Sequence, residues 1–130
     1  MSTLEKATNR LSESLSSAKL SAAQKNQINQ KLYRAEQQLL GTGLPRRPWY
    51  RHTIYAPGFY TGYGVKTMPG IREAIEQRNW KEAQENTDIV AKAITTYNTQ
   101  VEQAINVVKK NTAEKKSFQV FMPLIHKDTK

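Results

Sequence analysis

The stretch RPWYRHTIYAPGFYTGYGVKTMPGI, residues 47–71, limits the folds open to this chain more than any other feature. It holds four of the six tyrosines, four of the six glycines and three of the five prolines. Glycine and proline interrupt regular secondary structure, so helices are expected to stop before this stretch and to start again after it. Tyrosine can bury a ring and bond with its hydroxyl, which favours an ordered loop over a flexible linker.

Two helices are predicted before the loop. Ser2 with Glu5, and Ser21 with Gln24, have the spacing of capping boxes. Apolar residues then recur at helical spacing, as Leu4, Ala7, Leu11, Leu15 and Ala18 in the first segment and as Ile28, Leu32, Ala35 and Leu39 in the second. The pattern predicts an antiparallel pair of helices over residues 3–19 and 22–40, with Gly41 ending the second.

Residues 41–67 form the predicted loop, in which residues 51–55 can make a short extended piece. Thr67 is the predicted cap of a short helix, with Pro69 in its first turn and Ile71, Ala74 and Ile75 on its inward face. Asn79 and Glu82 open a long helix that we expect to end near residue 110. Its predicted buried side is Ala83, Val90, Ile94, Tyr97, Val101, Ala104 or Ile105, and Val108.

The predicted fold class is therefore all-α, a four-helix, bundle-like domain with a long ordered aromatic loop between helices 2 and 3. We assign residues 1–116 to this domain and residues 117–130 to a basic and apolar tail of unknown role. The tail is partly alternating in hydropathy, and Pro123 argues against a helix there. It is either a strand-like segment that packs back on the domain or an added peptide.

The composition excludes several kinds of chemistry. The chain has no cysteine, which rules out disulfides, thiolate catalysis and cysteine zinc sites. His52 and His126 are the only histidines and lack metal-ligand spacing, so we expect no metal, no cofactor and no self-sufficient active site. His52 is expected to be a hydrogen-bonded structural residue. The carboxylates after the loop are expected on helix surfaces, as solvated or ion-paired side chains: Glu73, Glu76, Glu82 and Glu85.

The net charge of +9 raises an alternative function, that of a small basic nucleic-acid-binding module. Arg46, Arg47 and Arg51 would contact phosphates while the neighbouring rings stack on bases. Against this, no predicted helix presents a row of basic residues to a groove, and a solvated basic surface explains the charge equally simply. The amino-terminal residues do not resemble a secretory signal, and no run has the roughly 18 apolar residues of a membrane span, so the location in the cell is left open.

Residues 43–75 also resemble a known family, the transferrin-receptor-like dimerisation domain, which is the carboxy-terminal helical domain of transferrin receptors and glutamate carboxypeptidase II. The resemblance rests on three motifs, namely LPRRPWYRH at residues 44–52, IYAP at residues 54–57 and PGI at residues 69–71. It extends more weakly over about residues 28–104. The first 20 and the last 25 residues are expected to lie outside it.

The resemblance implies a role in a larger zinc-dependent, carboxypeptidase-like hydrolase. In that family the helical domain mediates dimerisation and follows a zinc aminopeptidase-like domain, whose substrate pocket its loop helps to wall. A family tyrosine that grips the substrate carboxylate falls on Tyr63, and the lysine beside it falls on Gly62, which puts selectivity for glutamate in doubt. The implied loop and interface residues are Trp49, Tyr50, Arg51, His52, Tyr55, Phe59 and Tyr60. No catalytic residue or zinc ligand is implied in this chain.

The polarity of the helices departs from what a dimerisation domain leads one to expect. Each long helix has a single narrow apolar stripe, and segments such as AQKNQINQK are dense in amides and lysine. We therefore expect the isolated chain to be mainly a monomer. This polarity fits a domain cut from its parent and resurfaced as a scaffold for a grafted segment, and equally an unusually polar natural homologue.

Overall fold

The computed structural model describes residues 3–125, with side chains for residues 3–110 and Ala113. Its elements in chain order are helix α1 (Thr3–Ser17), helix α2 (Ala22–Gln37), strands β1 (Tyr55–Pro57) and β2 (Val65–Thr67), helix α3 (Pro69–Glu76) and helix α4 (Trp80–Ile125). The predicted all-α class with an ordered loop between the second and third helices is confirmed. No helix in the described part of the chain is long and apolar enough to cross a membrane.

The chain divides into two compact units. The terminal unit consists of residues 1–32 and 100–130, and its buried apolar side chains are Ala7, Leu11, Ile28, Val101, Ala104, Ile105 and Val108. The central unit consists of residues 33–99, with a small core of Ala35, Leu44, Ala56, Ala74, Ala83, Val90 and Ala93. Alanine predominates in this second core, which leaves the central unit to depend on polar contacts as well as on apolar burial.

Two of the predicted helix starts are confirmed in detail. The Ser21 N–H donates to Gln24 Oε1 at 2.9 Å, and the Gln24 N–H donates to Ser21 Oγ at 3.3 Å, which is a capping box. Asn79 Oδ1 accepts the backbone N–H of Glu82 at 3.2 Å at the start of α4. The Ser2 half of the third predicted box lies outside the described residues.

The extended structure in the loop is a small hairpin and not the piece predicted at residues 51–55. Strands β1 and β2 are antiparallel, with Ala56 opposite Lys66. Residues 53 and 54 bend before the first strand, which begins at Tyr55, and His52 Nδ1 accepts the backbone N–H groups of Ile54 and Tyr55, both at 3.3 Å. His52 makes only an isolated antiparallel bridge with Leu40, and its ring bonds to the backbone that follows it, as side chains do in turns.

Helix α3 differs from its prediction at its start and on its inward face. Its N-cap is Met68 in the left-handed conformation, with φ 47° and no side-chain cap, so the prediction of Thr67 is wrong, whereas Pro69 in the first turn is confirmed. Ile75 is 47% exposed and Glu73 only 2% exposed, the reverse of what was predicted. The buried face follows the helical positions of Pro69, Gly70, Glu73 and Ala74, which share one side.

Helix α4 continues through Ile125, so the predicted end near residue 110 and the strand-like tail are both wrong. No glycine or proline occurs between Trp80 and Pro123, and most residues from 109 to 119 are good helix formers. Pro123 has no N–H to donate to the carbonyl of residue 119, so the helix continues to Ile125 with one backbone bond missing. The remaining tail, residues 126–130, lies outside the described residues, and the proposed domain boundary at residue 116 stays a prediction.

Gly70 marks the close approach of α3 to α4 and gives a test of this packing. A Cβ atom there would lie 2.1 Å from Oδ1 of Asn86, a buried side chain whose Nδ2 donates to the Glu82 carbonyl at 2.8 Å. We predict that Gly70→Ala lowers the free energy of unfolding by about 1–3 kcal/mol through overpacking, measured by urea denaturation.

Intrinsic helix propensity alone would make the same substitution stabilising, so the sign of the change is informative. Gly64→Ala is the matched control, since a Cβ atom there is no closer than 3.4 Å to its nearest neighbour, Thr61. A Gly70→Ala variant as stable as the parent chain would contradict the described contact.

Candidate functional site

A buried ion pair organises the aromatic loop. Arg47 and Glu73 are 3% and 2% exposed, and Nη2 of Arg47 donates to both carboxylate oxygens of Glu73 at 2.6 and 2.7 Å. The backbone N–H of Phe59 donates to Glu73 Oε1 at 2.8 Å, and Nη1 of Arg47 donates to the Pro57 carbonyl. These bonds tie the start of the loop, the first strand of the hairpin and α3 to one point.

This pair was not predicted from the sequence. Glu73 was expected on a helix surface and Arg47 among arginines free to contact phosphates, and both expectations are wrong. The two residues are 26 positions apart, so no local pattern joins them. The signal that was available is the helical offset, because Glu73 follows Pro69 by four residues and Gly70 by three and therefore shares their buried face.

Aromatic rings surround the arginines of the loop. The Arg47 guanidinium carbon lies 5.7 Å from the ring centroids of both Tyr50 and Phe59, and that of Arg46 lies 5.8 Å from Phe59. Arg46 also donates to both carboxylate oxygens of Glu82, at 3.0 and 2.8 Å. The hydrogen bond from Glu82 raises the pKa of Arg46 above its ordinary value, against the smaller opposing effect of burial.

Six aromatic side chains of the loop are exposed to solvent, including the two that lie near the arginines. We use the term aromatic surface for the six exposed aromatic residues of the loop, Trp49, Tyr50, Tyr55, Phe59, Tyr60 and Tyr63. Trp49 is 71% exposed and Tyr60 is 68% exposed, although Tyr60 still packs edge-to-face on Phe59 with centroids 4.9 Å apart. Aromatic residues are enriched at protein interfaces, so six exposed rings on one ordered loop favour contact with another protein.

Tyr63 lies at the tip of the hairpin and is fully exposed. The Gly58 N–H donates to the Gly64 carbonyl at 2.8 Å, which closes the turn that carries it. Gly62 has φ 61°, a conformation that favours glycine, and a Cβ atom there would meet nothing within 4 Å. Tyr63 therefore projects from the tip with no neighbouring side chain covering it.

His52 and Arg51 both bond to the backbone of the same loop, and Arg51 is exposed. The His52 ring lies 3.8 Å from the Tyr55 ring, centroid to centroid, and because Nδ1 accepts two backbone N–H groups, the proton of the neutral ring belongs on Nε2. Nε2 is buried and lies 3.7 Å from Glu36 Oε1. The Arg51 Nε donates to the Gly41 carbonyl at 3.0 Å.

Lys66 is a second buried cation that the sequence did not single out. It lies on β2 opposite Ala56, and its Nζ pairs with Glu76 on α3. Arg72 lies 3.7 Å from the same carboxylate. This pair fastens the hairpin to α3 at a second point. Among the residues whose side chains are described, no group of three histidine, aspartate or glutamate residues could hold a metal ion.

A model of the transferrin receptor-like dimerisation domain family matches residues 1–102. The chain belongs to this family. The resemblance seen in the loop motifs is thereby confirmed, and the expectation that the first 20 residues lie outside the family is wrong, since the match begins at residue 1. The apolar spacing of α1 carries little specific information, and the loop motifs alone could not extend the match so far.

Two curated relatives match the chain over shorter stretches. A probable glutamate carboxypeptidase, LAMP1, of Arabidopsis thaliana is 37% identical over 76 residues, which cover 52% of this chain and 11% of that protein. A probable glutamate carboxypeptidase of Arthroderma benhamiae is 44% identical over 52 residues, covering 40% of this chain and 7% of that protein. The matched part of the chain thus spans about a tenth or less of the length of either relative.

The ion pair leads to a prediction about the loop. Glu73→Gln keeps the size of the side chain but leaves the Arg47 charge buried without its counter-charge, so we expect a loss of about 3–5 kcal/mol in the free energy of unfolding. Urea denaturation measures the loss, and the near-ultraviolet circular dichroism of the tyrosines reports on the loop itself.

The matched control is Glu85→Gln, at an exposed position of α4, which we expect to change stability by less than about 0.5 kcal/mol. The double variant Arg47→Met/Glu73→Leu removes both charges and should regain part of the lost stability. If Glu73→Gln is no more destabilising than Glu85→Gln, the pair does not hold the loop.

Proposed function

We propose that this chain is a non-catalytic interaction domain of a zinc-peptidase-like protein, and that its aromatic surface docks on the peptidase domain. The observation that supports this most directly is six exposed rings on a loop whose backbone is fixed by a buried ion pair. Family membership supplies the context, because a dimerisation domain works through protein partners. Aromatic residues are also enriched at protein interfaces.

The order of the loop favours docking. Backbone bonds run across it, from the Gly41 N–H to the Arg51 carbonyl at 2.7 Å and from the Leu44 N–H to the Tyr50 carbonyl at 2.8 Å. The Met68 N–H donates to the Ile54 carbonyl at 2.6 Å at the other end. A loop that is already ordered loses little conformational entropy when it binds, so more of its contact energy appears as affinity.

Within this proposal, Tyr63 contacts the substrate of the peptidase domain. Its full exposure at the hairpin tip fits a residue that reaches across to a neighbouring domain. The adjacent position is Gly62, which offers no cation, and Lys66 is paired with Glu76. The loop would then supply a hydroxyl and no positive charge, and we infer a weaker preference for a glutamate carboxylate than in relatives that carry a lysine there.

The alternative of a nucleic-acid-binding module is less favoured by the same geometry. Arg47 is buried on Glu73 and Arg46 is paired with Glu82, so two of the three loop arginines already have carboxylate partners. A phosphate would have to displace those carboxylates, which costs the hydrogen bonds they make. The excess positive charge still allows weak, salt-sensitive and sequence-indifferent association.

The role of Tyr63 can be tested in a chimera. Residues 1–102, over which the chain matches the family, replace the corresponding domain of the Arabidopsis relative, and the chimera is assayed on a peptide that ends in glutamate. Tyr63→Phe is expected to raise KM about fivefold to tenfold, with kcat little changed, because one hydrogen bond to bound substrate is lost.

Tyr33→Phe is the matched control, since Tyr33 is an exposed tyrosine on α2 far in sequence from the loop. An unchanged KM for Tyr63→Phe would contradict the proposed contact with substrate. Loss of activity already in the unsubstituted chimera would instead count against docking of this loop on a peptidase domain.

We further propose that the isolated chain is mainly a monomer. The outer face of α2 consists of exposed Lys25, Asn26, Asn29 and Gln30, and α4 carries exposed Lys92, Thr95 and Thr99. Burying these groups in a dimer would require a polar partner for each. The interpretation as a resurfaced scaffold rests on the same polarity and stays a prediction.

Sedimentation equilibrium of the full chain tests the proposed monomer. At about 10 µM the chain should sediment at its monomer mass of 14.8 kDa, since a stable homodimer usually buries about 2,000 Å² or more of largely apolar surface. A second series in 1 M salt screens the repulsion expected from the net charge. A dimer that persists in both buffers would mean that an inherited interface still works.

A further inference from the structure

The central unit contains a cavity of about 390 Å³ that the proposed function does not use. It lies between the residues that open the loop and the middle of α4, and its walls include Leu40, Thr42 and Arg51 from the loop side and Ile89, Lys92 and Ala93 from α4. This volume falls within the range of about 300–1,000 Å³ typical of small-molecule sites. Tyr63 does not line it.

The cavity is basic and has no counter-charge of its own. Arg51 and Lys92 line it and no aspartate or glutamate does. Neither cation has a carboxylate partner within the part of the chain whose side chains are described, whereas Arg46, Arg47 and Lys66 each have one. Two cations that share a cavity repel each other, and an anion placed between them would relieve that repulsion.

The Arg51 guanidinium is held in place for such a contact. Its Nε donates to the Gly41 carbonyl at 3.0 Å, while the Gly41 N–H donates to the Arg51 carbonyl at 2.7 Å. Among the described residues, nothing accepts a hydrogen bond from its two terminal nitrogens. With Nε bonded and both terminal nitrogens open, the Arg51 guanidinium suits bidentate binding of a carboxylate. The Thr42 hydroxyl, which also lines the cavity and makes no hydrogen bond among the described residues, adds a donor.

The other half of the cavity is apolar. Leu40 and Ile89 are both exposed large aliphatic side chains, and Ala93 lies one helical turn after Ile89 on the same side of α4. Inorganic phosphate would leave these groups in water, whereas an aliphatic chain would cover them. The two halves together select for a ligand with an anionic end and a short hydrocarbon end.

We propose that this cavity binds an organic anion in which a carboxylate is joined to a short aliphatic group. The carboxylate contacts Arg51 and Lys92, and the hydrocarbon contacts Leu40 and Ile89. The lining of this site includes none of the six residues of the aromatic surface, and the proposal does not depend on docking to a peptidase domain.

The probe for the test is 4-methylpentanoate, titrated into the full chain labelled with ¹⁵N and followed by amide chemical shifts. We expect saturable shifts centred on residues 40–42, 51 and 89–93, with a Kd of about 1 mM for a ligand of this size. Lys92→Gln should weaken binding about fivefold through the lost charge, and Ile89→Ala about threefold through the lost apolar contact.

Two control ligands and one control variant make the result decisive. The neutral amide 4-methylpentanamide should bind at least tenfold more weakly than the carboxylate. Inorganic phosphate should bind weakly, and Ile89→Ala should not change its Kd. Lys81→Gln removes an exposed lysine of α4 that does not line the cavity and should leave Kd unchanged. Equal binding of the amide, an equal effect of Lys81→Gln, or no saturable shift at these residues would overturn the proposal.

Discussion

The buried ion pair between Arg47 and Glu73, in which one guanidinium nitrogen donates to both carboxylate oxygens, is the interaction on which the central unit depends. It joins the start of the loop to α3, and the same carboxylate accepts the Phe59 N–H while the same guanidinium reaches the Pro57 carbonyl. Both charges are almost fully buried, so removing either would leave the other without compensation. A core composed mostly of alanine could not fix so long a loop by apolar burial alone.

The pair also explains how the loop can expose so many rings and stay ordered. The polar cluster and the backbone hydrogen bonds fix the conformation of the loop. Its large aromatic side chains therefore do not have to be buried to keep it ordered. Tyr50 and Phe59 lie against the arginine, whereas Trp49, Tyr60 and Tyr63 project into solvent. The residues that order this segment are thus different from most of the rings that it exposes.

The sequence predicted those parts of the fold that depend on neighbouring residues. Capping at Ser21 and Asn79 could be predicted from the sequence because each cap and its partner are three positions apart. The loop motifs carried the family, which the match over residues 1–102 bears out. The helical offset of Glu73 from Pro69 and Gly70 pointed to their buried face, but no local pattern showed that Arg47, 26 positions away, would supply the counter-charge. The hairpin was not predicted because each of its strands has only three residues, too few to show an alternating pattern.

Gly62, at the hairpin tip, and Gly70, in the first turn of α3, would respond differently to substitution. Gly70 is closed to change, because Asn86 fills the space a side chain would need, but Gly62 has open solvent where its Cβ would be. A new side chain at Gly62 would bring only the backbone cost of the left-handed conformation, about 1–2 kcal/mol, and would disturb no packed neighbour. Every glycine codon lies one nucleotide from an arginine codon. The hairpin tip is therefore a position where natural variation can add a charge beside Tyr63 in one step, and the chemistry of the tip can drift while the scaffold beneath it stays constant.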